Sequence, residues 1–158
     1  KSMLSQIERS EVNPTLAVVW SLTQALGIDI GTLVSTAAGR DGDNAIEVLP
    51  AGRTPEIRSQ DGLCRLRILS PPSMAGRTEL YLLELRGGGE LVSKAHSRGT
   101  IEHLTALSGD LDVRSGTSRI RLAEGETARY PADVPHAVMN TGRGRRRGIM
   151  MVVYSSQT

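Results

Sequence analysis

The chain has 158 residues, 39% of them apolar and 23% charged, enough for one domain with a real core plus a small appendage. A net charge of +2 marks no part of it as a strongly basic nucleic-acid module, and an aromatic set of Trp20, Tyr81, Tyr130 and Tyr154, without Phe, disfavours a stacking platform for single strands. The lone Cys64 rules out an internal disulfide, and no apolar run or leader pattern suggests a membrane or secretory route, so a cytoplasmic setting is expected.

Residues 1–34 read as helical. Leu4 and Ile7 lie three apart on the stretch Ser2–Arg9. Asn13 suits an N-cap, Pro14 the first helical position and Gly27 the place just past a helix end. Between them Leu16, Val19, Trp20, Thr23 and Leu26 fall on one helical face. Asp29 suits the cap of a further short helix holding Leu33 and Val34. Such short helices bury little apolar surface alone, and the first residues are already inside a helical pattern. The chain is therefore expected to be a piece of a longer protein. Residues 35–44 are small, polar and Gly-containing, as in a linker.

From Ala45 the pattern changes to short alternating runs. Cys64, Leu66 and Ile68 share a face, with Cys64 expected as a small buried hydrophobe. The same alternation groups Tyr81, Leu83 and Leu85, then Leu111 and Val113, then Ile120 and Leu122. Glycine, proline, serine and aspartate punctuate these runs, which predicts an all-β sandwich or barrel. Strand alternation puts Glu102, Leu104 and Ala106 on one face and His103, Thr105 and Leu107 on the other. His136, Val138 and Asn140 share a face as well. His103 is then an outward residue, Met150 and Met151 are strand core or dimer surface, and Arg143 to Arg147 form a solvated hairpin loop.

Two strings carry more than periodicity. Ser2-Met3-Leu4-Ser5-Gln6-Ile7-Glu8-Arg9-Ser10-Glu11-Val12-Asn13-Pro14-Thr15-Leu16, continuing through Leu22 to Ile28, resembles the recognition helix and following turn of the XRE (lambda-repressor-like) helix-turn-helix family. Ser10 stands where that family usually has Gly, and the family's first two helices have no counterpart in this chain. The resemblance implies DNA binding by the parent protein. Lys1, Ser2, Ser5 and Gln6 would face the major groove and Arg9 would contact phosphate.

The second string runs from Gly125 to Asn140. Gly125, Pro131, His136 and Asn140 match the second cupin motif, with Asp133 in place of a glycine. His96, Glu102 and Gly109 match the first motif, whose second histidine position is held by Arg98. The resemblance covers roughly residues 60–155 and implies a mainly β fold, a cupin jelly-roll barrel preceded by a truncated all-α helix-turn-helix fragment. It divides the chain into residues 1–34, a linker at 35–44 and an effector domain at 45–158.

The resemblance implies a metal site of His96, Glu102 and His136, whose donors suit Zn, Fe, Mn or Ni. Arg98 is a poor ligand because it stays protonated. It points instead to anion recognition, or simply to solvent. Arg98, Tyr81, Leu104, Tyr130 and Asn140 are the candidate effector contacts. The combination resembles DNA-binding transcriptional regulators whose cupin binds a small-molecule effector and mediates homodimerisation. A cupin metalloenzyme of dioxygenase or isomerase type is the alternative, and an empty dimerisation scaffold the third.

Overall fold

The computed structural model describes Ser5, residues 48–71 and residues 74–155. The expectations for Lys1, Ser2, Gln6, Arg9, the remaining helical text and the 35–44 linker lie outside these residues. Ser5 is helical and half-buried. Among the described residues no helix is long and apolar enough to cross a membrane.

A short 3-10 turn at Ala51–Arg53 leads into ten strands. In chain order they are β1 (Glu56–Arg58), β2 (Cys64–Ile68), β3 (Thr78–Leu85), β4 (Glu90–Ser93), β5 (Ile101–Ser108), β6 (Leu111–Ser115), β7 (Ser118–Leu122), β8 (Thr127–Pro131), β9 (His136–Met139) and β10 (Arg146–Val153). They form two sheets, ordered β1-β2-β3-β10-β5-β8 and β4-β9-β6-β7, with antiparallel pairing between neighbours. This is the expected jelly-roll architecture, mainly β and built around one shared apolar interior.

Alternation explains the core. In β2 the buried positions are Cys64, Leu66 and Ile68, and in β3 they are Glu79, Tyr81, Leu83 and Leu85. In β5 they are Glu102, Leu104 and Ala106. Each fully buried leucine contributes about 1.5–3 kcal/mol by removal of apolar area from water. Burial pushes the Cys64 thiol up to about 12, so it remains a protonated, inert packing group. His103 faces outward and Met150 joins the core, as the alternation requires.

Edge position modifies the pattern. Ile120 has the same parity as buried Leu122 but is 50% exposed, because β7 is the outer strand of its sheet. The register of the large sheet places Glu79 beside Val152, Val152 beside Glu102, and Glu102 beside Tyr130. One row across β3, β10, β5 and β8 thus brings two acids and a phenol inside.

Candidate metal and effector site

Three pieces of chain converge within the barrel. Glu102 lies on the inward face of β5. His136 opens β9, across in the other sheet. His96 sits in the β4–β5 connection, where its backbone N–H donates to the Ala132 carbonyl oxygen at 2.9 Å. That bond ties the His96 loop to the approach to His136. Asp133, which replaces the motif glycine, strengthens the tie: its Oδ2 accepts from the Gly99 N–H at 2.8 Å. Thr100 is fully buried and braces the same loop through its hydroxyl, which donates to the Ser97 carbonyl oxygen at 2.7 Å.

The donor atoms face one point. Nε2 of His96 is 3.2 Å from Glu102 Oε1, and Nε2 of His136 is 3.1 Å from the same oxygen. All three ligand atoms lie within 4.8 Å of one another. Ligands at zinc-like bond lengths in a tetrahedral arrangement are separated by about 3.3 Å, so the two spacings to Glu102 Oε1 match a coordination edge. His136 Nδ1 is 2.8 Å from the Val134 carbonyl oxygen, which leaves Nε2 as the ligating nitrogen. The Tyr130 hydroxyl donates to Glu102 Oε2 at 2.8 Å, which turns Oε1 toward the histidines. The donor set therefore fits a divalent ion, with an outer layer that orients two of its three ligands.

Electrostatics agree with a tightly coupled cluster. Glu102 and His136 each keep 2% side-chain exposure, and His96 keeps 10%. Burial works against the Glu102 charge, yet hydrogen bonds from His136, His96 and Tyr130 hold its carboxyl down at about 2. Burial also opposes charge on His136, but the Glu102 carboxylate wins and raises it. The Tyr130 phenol is pushed up by burial and by the Glu102 charge, so it remains a donor.

The sequence-derived effector candidates divide. Tyr81, Leu104 and Tyr130 are buried inside the barrel, and the two tyrosines bond to Glu79 and Glu102 respectively. Arg98 is exposed. Asn140 is buried and bonds to the backbone around it. Its Nδ2 donates to the carbonyl oxygens of Leu85 at 3.1 Å and Gly144 at 2.7 Å, while Oδ1 accepts from the Gly142 N–H at 3.0 Å. It thereby builds the 141–145 loop, roughly 13 Å along the strand direction from His136. Four residues of chain separate it from His136.

Glu79 was missed. It is 2% exposed, and the hydroxyls of Tyr81 and Tyr154 both donate to its Oε2, at 2.5 Å and 3.0 Å. The signal was legible: the inward parity of Tyr81, Leu83 and Leu85 extends back two residues to Glu79. Tyr154 also connects the two acid clusters, its ring centroid lying 6.0 Å from that of His96.

A jelly-roll barrel with two imidazoles and a carboxylate converging inside it has the architecture of a cupin. Residues 81–153 of this chain match the family model described as Cupin domain. Over 143 residues the chain is 29% identical to the HTH-type transcriptional regulator SutR of Escherichia coli (strain K12), covering 90% of this chain and 73% of that protein. Two solved structures share the fold. An HTH_3 family transcriptional regulator from Vibrio cholerae is 22% identical with a TM-score of 0.66, covering 97% of this chain and 79% of that one. The Cupin_2 domain of an XRE family transcriptional regulator from Enterobacter cloacae is 22% identical with a TM-score of 0.54, covering 59% of this chain and 98% of that one. The recognition made from the motifs stands: XRE-type regulator text followed by a cupin domain.

Proposed function

We propose that this chain is the sensing part of a cytoplasmic, DNA-binding transcriptional regulator. In this reading residues 45–158 bind a small-molecule effector, residues 1–34 belong to the DNA-reading head, and residues 35–44 join them. The observation that carries it is the meeting of His96, Glu102 and His136 at one buried point, in a chain similar over most of its length to a regulator. These three residues would hold a divalent ion, Zn, Fe, Mn or Ni. Such an ion supplies a Lewis-acidic point that grips an oxygen or nitrogen of the effector. The chain's own residues do the rest: Tyr130 and the Val134 carbonyl fix two of the ligands, and Leu104 and Tyr81 line the apolar interior.

Signalling follows from differential affinity. An effector changes operator binding only if it favours one arrangement of paired barrels and heads over another. Paired heads match paired half-sites, so the working unit is a homodimer. Exposed Ile101 and Leu107 on the outer face of β5 offer apolar area for that contact.

The test has two parts. Calorimetric titration of the chain with Zn²⁺ should show one ion per chain, and Glu102→Ala should abolish it. Absence of binding by the unmodified chain sinks the metal site. In the full-length parent, operator affinity should shift on adding saturating effector, and unchanged affinity sinks the sensor. The three donors also suit a metalloenzyme, since three protein ligands leave coordination positions open. Turnover by the metal-loaded barrel, absent in Glu102→Ala, would favour that second reading.

A further inference from the structure

We infer that the arginine loop at the barrel end away from the histidines is a phosphate grip, and that its partner is the backbone of duplex DNA. The inference rests on the regulator reading above and adds a second DNA contact, made by the barrel itself.

The loop is built in advance. Buried Asn140 spans it, bonding to the Gly142 N–H and the Gly144 carbonyl oxygen and tying both to Leu85. Arg146 follows the inward parity of Gly148, Met150 and Val152, so its side chain lies across the barrel end. It packs directly on Gly109, where any Cβ would collide with Cδ, Nε and Cζ, and Gly142 and Gly144 flank Nη2 and Nη1. Gly87 packs against the backbone of Gly142 and Arg143, which brings Arg86 beside the loop.

The donors are free. Nε of Arg146 is covered by protein yet has no hydrogen-bond partner. Nη1 and Nη2, also without a partner among the described residues, keep contact with solvent. Arg86, Arg143 and Arg145 are exposed, and their side chains have no hydrogen bond or ion pair among the described residues. The acids at this end are engaged elsewhere. Glu124 and Glu126 accept from the N–H groups of Gly109 and Ala123, and Asp110 pairs with Arg121. Four guanidiniums gathered without acids repel one another, and a polyanion relieves that repulsion. Their planar forks match phosphate oxygens, and a loop already shaped loses little entropy on binding. Duplex DNA is the polyanion at hand, since the chain is similar over 90% of its length to a transcriptional regulator. The linker residues 35–44 reach about 33–36 Å, more than the height of an eight-residue strand, about 27 Å.

The test uses a short duplex of arbitrary sequence, with no effector and no added metal, so it is independent of operator reading and of the histidine cluster. Binding is followed by fluorescence anisotropy across a salt series. Log affinity falls against log salt with a slope of about 0.9 per phosphate neutralised. The double substitution Arg143→Ala and Arg145→Ala should leave melting temperature unchanged, weaken binding severalfold and shallow the slope by about 2. Arg146→Gln should shallow it by about 1, and the exposed pair guards against a folding failure of that variant. No duplex binding by the unmodified chain, or a folded double variant with unchanged affinity and slope, would overturn the grip. Inorganic phosphate that raises the melting temperature while duplex is ignored overturns the DNA partner in favour of a free anion. Poly-L-glutamate that binds as tightly as duplex at equal charge overturns it in favour of an acidic protein segment. Operator affinity indifferent to every effector sinks the sensor and leaves this contact standing.

Discussion

Tyr130 shows how one hydroxyl can set the geometry of a candidate metal ligand. Its bond to Glu102 Oε2 fixes the carboxylate plane and leaves Oε1 for the histidines. Tyr130→Phe should therefore keep the fold but lower Zn²⁺ affinity by about 10–100-fold, read by competition with a chelating dye. The acid cluster also sets a pH profile for the ion-free chain. Glu102 falls from 4.5 to about 2 on folding, so its stabilisation is present above 4.5 and is lost as pH drops toward 2. His136 is raised above 6.5, so its contribution is complete below 6.5 and is lost as pH rises through the folded value. Melting temperature against pH should fall on both flanks, and Glu102→Gln should flatten the acid flank. At this scale Glu102 and His136 were legible because motif and strand parity agree. Glu79 was equally legible by parity but has no motif. The hydrogen bonds of Asn140 to the 142–144 loop and to Leu85 were not legible, because the motif fixes its position and not its partners.

Among the elements, β10 and the His96 loop hold the surroundings of the site through close contacts. The β10 strand shifts register between Arg147 and Gly148 where it pairs with β5. A Cβ at Gly148 would come within 2.9 Å of Leu104 Cδ1 and 3.0 Å of the Thr105 carbonyl oxygen. Gly148→Ala should cost about 1–3 kcal/mol through overpacking, seen as a lower urea midpoint with unchanged slope. The loop bearing His96 depends on Asp133 in a similar way. Removing the Asp133 carboxylate hands the exposed Gly99 N–H to water, so Asp133→Ala should cost about 0.5–1.5 kcal/mol and loosen the His96 loop. The alternating strands were readable because one face is buried. Ile120 was not, since parity says nothing about whether a strand ends up at a sheet edge.

Across the whole molecule, binding and stability are linked. An ion that binds only the folded barrel stabilises it by about 2.7 kcal/mol at a hundredfold excess over its dissociation constant. Stripping the chain with a chelator should lower its melting temperature, Zn²⁺ should restore it, and Glu102→Ala should respond to neither. The barrel's class was legible from the Gly125–Asn140 string and its partner. The motifs also grouped His96 and His136 with Glu102, but the bond from Tyr130, 28 positions away, was not legible, because no motif pairs β5 with β8.

Strand β10 comes last among the described elements yet lies in the middle of the larger sheet, between β3 and β5. During translation the β1-β2-β3 ribbon and the β5-β8 pair emerge with no seam to join them. Glu79 and Glu102 therefore stay apart until Arg146–Val153 has left the ribosome. The interior row from Glu79 to Tyr130 is thus assembled only when β10 is in place, and chains stopped before Arg146 should show no cooperative melting of the barrel.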